Sequence, residues 1–128
     1  MVALVPNTIE ILSYLKENNH NIHLITNGFL EVQSIKMQAS ELDKYIDKTF
    51  VSEVVGYKKP DHRIFYHAMK EVGGTTENCV MIGDDLSVDI LPAKEIGMPH
   101  IYFNRKQIPH NEILDYEIKD LIEIKNFV

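Results

Sequence analysis

The stretch Met81–Gly97, MIGDDLSVDILPAKEIG, sets three carboxylates, Asp84, Asp85 and Asp89, within six residues, at the point where an apolar run stops and a helical pattern starts. Cys79–Gly83 is short and apolar, as a buried strand is. Ile90, Leu91, Ala93 and Ile96 then line one helical face, and Gly97 ends it. Pro92 fits that helix only in its first turn, where no backbone N–H is required.

Working outward, the same apolar signature recurs at Ile22–Thr26, which halts at Asn27-Gly28, and at His100–Phe103. Thr49–Ser52 and Tyr116–Ile118 read as two further strands. Helical patterns fall between them. Asn7 with Glu10 three residues later reads as a cap, opening a helix to about Asn18 with Ile9, Leu12 and Leu15 on its buried stripe. A second helix is expected over 30–39, with Ile35 and Ala39 at helical spacing, and a short one over 41–45. Residues 53–61 read as a loop. Asp61 caps a helix that buries Ile64, Phe65, Ala68, Met69 and Val72 and stops at Gly73-Gly74. Asp120–Ile124 gives a last turn.

Strands alternating with amphipathic helices predict an α/β fold, a three-layer Rossmann-like parallel sheet with helices on both faces. At 128 residues the chain is read as one domain, 1–128, with no cap domain. A net charge of -6 with scattered lysines argues against nucleic-acid and anionic-membrane partners. Cys79 stands alone in an apolar run, which excludes an internal disulfide and reads as a buried thiol in a reducing compartment. Met1–Pro6 has neither the basic start nor the apolar stretch of a signal peptide, so the cytoplasm is the expected location.

In parallel sheets ligands bind beyond the carboxyl ends of the strands. Thr26-Asn27-Gly28 and Gly83-Asp84-Asp85 both fall at such ends, and the loop Lys58-Lys59-Pro60-Asp61 can reach the same rim. Two like charges about 4 Å apart repel by roughly 4 kcal/mol at an effective dielectric near 20, so the acidic cluster calls for a compensating charge. Carboxylates without nearby His or Cys favour a hard cation, and Mg²⁺ suits a site with few protein oxygens. Helix capping explains one or two of the same acids equally well. Taken alone, Thr26-Asn27-Gly28 is a turn and Lys58-Lys59 a solvated pair. His62 and His67 are five apart, the wrong spacing for two ligands on one helical face.

The combination weighs differently. A strand-end Thr, a Lys-Pro-Asp loop before a helix, and a strand-end Gly-Asp with another Asp five residues on resemble motifs two, three and four of the haloacid dehalogenase superfamily of hydrolases. The resemblance runs from VPNTIEILSYLKENNHNIHLITNG through VGYKKPDHRIF to MIGDDLSVDILPAKEIGM. It is greatest to the pyrimidine-nucleotidase-like and phosphoglycolate-phosphatase-like groups. The resemblance implies a Mg²⁺-dependent phosphatase of small phosphorylated metabolites. It implies that Thr26 and Lys59 serve catalysis, and that Thr26, Asn27, Gly28 and Lys59 hold the phosphate, Asn27 through its backbone. Asp84 and Asp89 would face the metal; the role of Asp85 stays open.

One departure is decisive. Family enzymes attack phosphorus with the first Asp of an Asp-x-Asp motif on an early strand, and no two of this chain's eight aspartates are separated by a single residue. The resemblance places that strand at the centre of the sheet, so the chain is expected to be an incomplete core, inactive alone, with open strand edges through which copies could associate. A non-catalytic metal- or phosphate-binding protein and a fragment of a longer phosphatase stay open as alternatives. A phosphoacceptor receiver domain is disfavoured, because there the acids precede the Thr and the Lys.

Overall fold

The computed structural model describes residues 6–28 and 42–128, so the helix expected over 30–39 lies outside the described residues. Helix α1 spans Thr8–Glu17. Asn7 does not cap it: its φ of 68° is left-handed, and no side-chain capping bond forms. Its amide instead donates to Asp120 Oδ1 at 3.0 Å, joining the start of α1 to the carboxyl-terminal segment. The buried positions of α1 are Ile11 and Leu15, one turn apart, rather than Ile9 and Leu12.

Among the described residues, five short parallel strands form two sheets. Strands β1 (His23–Thr26) and β2 (Lys48–Val51) pair with Thr26 opposite Val51. Strands β3 (Met81–Gly83), β4 (His100–Phe103) and β5 (Tyr116–Ile118) make the second sheet, with Gly83 opposite Tyr102 and Tyr102 opposite Glu117. β1 and β3 are not hydrogen-bonded to one another. Ser52–Val55 forms a short helix, α2, where a loop was expected, and Gly56 closes it at φ 95°. Asp43–Tyr45 is a single 3₁₀ turn.

Helix α3 (His62–Val72) starts as its sequence demands: the Asp61 carboxylate accepts the Arg63 N–H at 2.9 Å, and Gly73 ends the helix at φ 71°. The helix expected around Pro92 is split. Leu86–Ile90 is one π-helical turn, with the Ile90 N–H reaching back to the Asp85 carbonyl at 3.3 Å, and α4 (Leu91–Glu95) follows with Pro92 in its first turn.

Helices cover both faces. On one face Ile11 and Leu15 of α1 meet Ile101, Phe103, Ile118 and Ile124, and Ile82 packs beside them. On the other, Met69 of α3 meets Ala93 and Met98, with Met81 beside them. The opposite destinations of Met81 and Ile82 are the alternation of a strand buried from both sides. Cys79 is half-buried rather than buried, its Sγ 3.4 Å from Asn78 Oδ1, because β3 itself starts only at Met81. Among the described residues no helix is long and apolar enough to cross a membrane.

Candidate functional site

Thr26, Asn27, Lys59, Gly83 and Asp89 come together where β1 and β3 end. Thr26 is 1 % exposed, yet its Oγ1 has no hydrogen-bond partner among the described residues. A buried hydroxyl without a partner forfeits its water contacts, roughly 1–3 kcal/mol, and so points to a ligand oxygen. The Asn27 side chain clamps the backbone of Lys59 in both directions: Nδ2 donates to its carbonyl and Oδ1 accepts its N–H, each at 2.8 Å. Where the family resemblance implies a backbone role for Asn27, its bonds to Lys59 come from the side chain. Gly28, in the left-handed region at φ 72°, donates its N–H to Ser52 Oγ at 3.1 Å, a tie from α2 that nothing in the sequence signalled.

So held, Lys59 reaches Asp89, with Nζ 2.7 Å from Oδ1 and the two side chains 6 % and 8 % exposed. Lys58 is exposed and takes no part. The other oxygen of Asp89 accepts the Asp85 N–H at 3.3 Å. Asp89 lies so close to β3 that a Cβ on Gly83 would sit 2.5 Å from Asp89 Cβ and 2.7 Å from Oδ2. Gly83 is therefore required by close approach, not by a turn. Asp85 acts as a cap, its Oδ1 accepting from the Val88 N–H at 3.0 Å and from Ser87 Oγ at 3.2 Å.

Asp84 is exposed and makes no hydrogen bond or ion pair among the described residues. The rim is hard-oxygen in character, as Mg²⁺ prefers. It is nevertheless incomplete: Asp89 is committed to Lys59 and Asp85 to its turn, and no cluster of three ligating side chains exists among the described residues. The acids also act at a distance. Tyr102, opposite Gly83 on β4, has its phenol pKa pushed up, first by burial and then by Glu117, Asp85 and Asp84.

Known proteins share this framework. The family profile for haloacid dehalogenase-like hydrolases matches residues 1–97. The glyceraldehyde 3-phosphate phosphatase of Pyrococcus furiosus is 31 % identical over 94 % of this chain and 52 % of its own length. The pyrimidine 5'-nucleotidase YjjG of Escherichia coli is 28 % identical over 97 % of this chain and 56 % of its own. A crystal structure of a HAD phosphatase from Thermococcus onnurineus superposes with a TM-score of 0.86 at 29 % identity, covering 96 % of this chain and 57 % of that one. YfnB of Bacillus subtilis, solved bound to magnesium, gives 0.86 at 26 % identity over 96 % of this chain and 55 % of its own. The chain spans about half the length of the curated relatives it matches.

Proposed function

The chain belongs to the haloacid dehalogenase-like hydrolases, and from that premise we propose that it carries the phosphate-binding half of a phosphatase site for small phosphorylated metabolites. The observation that carries this reading is the buried Thr26 hydroxyl, without a hydrogen-bond partner among the described residues, next in the chain to Asn27, whose side chain holds the backbone of the buried Lys59. A hydroxyl donor and a desolvated cation at one strand end suit the oxygens of a phosphoryl group, whose charge rises in the transition state. Asn27 sets where Lys59 starts and Asp89 sets where its ammonium stops. Thr26 donates one hydrogen bond; Lys59 neutralises a second oxygen. A buried lysine–carboxylate pair rarely adds stability over an apolar pair, which favours a chemical reason for keeping it.

These residues hold charge but form no bond to phosphorus. Covalent transfer needs a placed nucleophile and an acid–base partner, and the sequence contains no Asp-x-Asp to supply them. In this reading a further parallel strand bearing those carboxylates pairs with the open edges of β1 and β3, and copies of the chain that lack it associate through the same edges. Asp84 is then the ready ligand for Mg²⁺, which when bound would neutralise phosphoryl oxygens. The committed state of Asp85 and Asp89 means that the described residues alone do not complete that cation site.

The test separates binding from turnover. Titration with inorganic phosphate, followed by ³¹P NMR, is expected to show binding that Thr26→Val removes, and p-nitrophenyl phosphate with Mg²⁺ is expected to give no turnover. Absence of phosphate binding would overturn the site. Robust Mg²⁺-dependent turnover lost in Asp84→Asn would keep the site and overturn the claim of inactivity. Binding without turnover also fits a non-catalytic phosphate-binding protein; turnover restored by adding a strand peptide with Asp-x-Asp decides for the phosphatase half.

A further inference from the structure

Parallel strands are usually joined through a helix, which satisfies the backbone of the connection. The connection from β4 to β5, residues 104–115, contains no helix. Besides the Asn104 N–H, given to the Ile118 carbonyl at 2.7 Å, and the Gln107 N–H, given to the Asn104 carbonyl at 3.0 Å, side chains hold it. Asn104, 5 % exposed, bonds both the N–H and the carbonyl of Ile108 at 2.9 Å and donates to Glu117 Oε2 at 2.9 Å. Asp115 Oδ2 accepts the His100 backbone N–H at 3.3 Å, and two imidazoles supply further anchors. His110 Nδ1 accepts the backbone N–H of Glu112 at 3.0 Å. His100 Nε2 accepts the backbone N–H of Asp115 at 3.1 Å.

A ring nitrogen accepts a hydrogen bond only while it carries no proton. Each histidine is thereby fixed in one neutral tautomer. His110 keeps its proton on Nε2, aimed at Glu117 Oε1 2.6 Å away, and His100 keeps its proton on Nδ1, aimed at the Met98 carbonyl 3.0 Å away. Adding a second proton to either ring turns the acceptor into a donor facing a donor, and the backbone anchor is lost. Carboxylates also stand beside both rings. Glu117 touches His110, and Asp115 Oδ2 stands 3.4 Å from His100 Nδ1. Tyr102 meets the His110 ring edge-on at 5.6 Å, and its phenol feels Asp84 and Asp85 on the far side. Glu112 is paired with Lys94 of α4 at 3.8 Å, and Lys119 and Glu123 line the open groove that His110 and Glu117 share. One nitrogen of each ring thus faces a carboxylate and the other a backbone N–H group.

We propose that residues 110–115 form an acid-loosened strap: protonation of His100 and His110 removes the imidazole anchors of the Asp115 and Glu112 N–H groups, while the Asn104 bonds keep residues 104–108 at the ends of β4 and β5. The strap borders Tyr102, so its loosening opens the wall next to the acidic rim, but it does not depend on the phosphate-binding reading. The measurement is amide hydrogen exchange on the whole chain at about pH 7.5 and about pH 5.5, across the range where imidazoles take their second proton, corrected for intrinsic rates. The Glu112 and Asp115 amides are expected to lose about tenfold in protection, the scale of one hydrogen bond, while Ile64 and Phe65 of α3 keep theirs. His110→Asn supplies an acceptor that does not titrate and should abolish the step at Glu112 alone; His100→Gln should abolish it at Asp115 alone. Protection that does not change with pH, a loss shared by α3, or steps that persist in both variants would overturn the strap. Should either variant not fold, imidazole ¹⁵N shifts of the native chain decide: unprotonated His110 Nδ1 and His100 Nε2 at neutral pH support it, and the opposite tautomers overturn it.

Discussion

Lys59 and Asp89 hold each other in a place where neither charge could stay alone. Both are nearly water-free, and while one oxygen of Asp89 takes the ammonium the other accepts the Asp85 N–H. Removing the Lys59 ammonium leaves the buried Asp89 carboxylate without its cation, at about 3 kcal/mol or more. Lys59→Met is expected to cost about that much in urea unfolding, and adding Asp89→Asn to it to cost less than the sum of the two single changes. Costs that simply add would show the two side chains to be independent. The attraction of Lys59 to this rim was legible in the order of Thr, Lys-Pro-Asp and Gly-Asp along the chain. Its actual partner was not. Sequence spacing says that Asp84, Asp85 and Asp89 are near one another, but which of them caps, which pairs and which faces outward depends on the π-helical turn at Leu86–Ile90. The role of Gly83 was equally hidden, since a glycine at a strand end reads as a turn until Asp89 is seen against it.

At the scale of elements, α1 shows where periodicity misleads by one residue. Ile9, Ile11, Leu12 and Leu15 offer two overlapping stripes, and the sequence cannot rank them without knowing the helix entry. The entry is set by Asn7 bonding Asp120 and by Lys125 bonding Glu10 at 3.1 Å, contacts between opposite ends of the chain. They turn Ile11 and Leu15 onto the β4 and β5 residues Ile101, Phe103 and Ile118. Ile11 is 3 % exposed, so Ile11→Ala leaves a cavity under α1 and is expected to cost about 2–4 kcal/mol in urea unfolding. Ile9→Ala, on the stripe that spacing alone favours, is expected to cost less. The reverse order would restore Ile9 and Leu12 as the buried stripe. Elements with strong local signals needed no such correction. The α3 helix, with Asp61 before it and Gly73 after it, begins and ends where those residues dictate, and Arg63 holds the Asp61 carboxyl down to about 2.

For the molecule as a whole, the small sheet of β1 and β2 is joined to the rest through contacts that include one poorly served histidine. Phe50 of β2 meets His67 of α3 edge-on at 5.9 Å and His23 of β1 at 6.4 Å. His23 Nδ1 is buried without a hydrogen-bond partner among the described residues. Burial lowers its pKa below the usual 6.5, helped by Lys48 and Lys16 and opposed by Asp47. A group whose folded pKa lies below its unfolded value binds fewer protons when folded, so stability falls as pH drops through 6.5 and stops falling below the folded pKa. Asp47 works in a separate window. Its carboxyl is held below the usual 3.8, first by the Lys16 hydrogen bond and then by the Ile22 N–H. That contribution is intact above 3.8 and is lost only as pH falls through the lower folded value. The urea midpoint is therefore expected to drop between about pH 7 and about pH 5, where imidazoles titrate, before any carboxylate contributes. His23→Leu keeps an apolar contact with Phe50 and removes the titrating ring, so its midpoint should drop less over the same interval. A drop as large as that of the native chain would show that the unpartnered nitrogen of His23 does not couple the small sheet to pH.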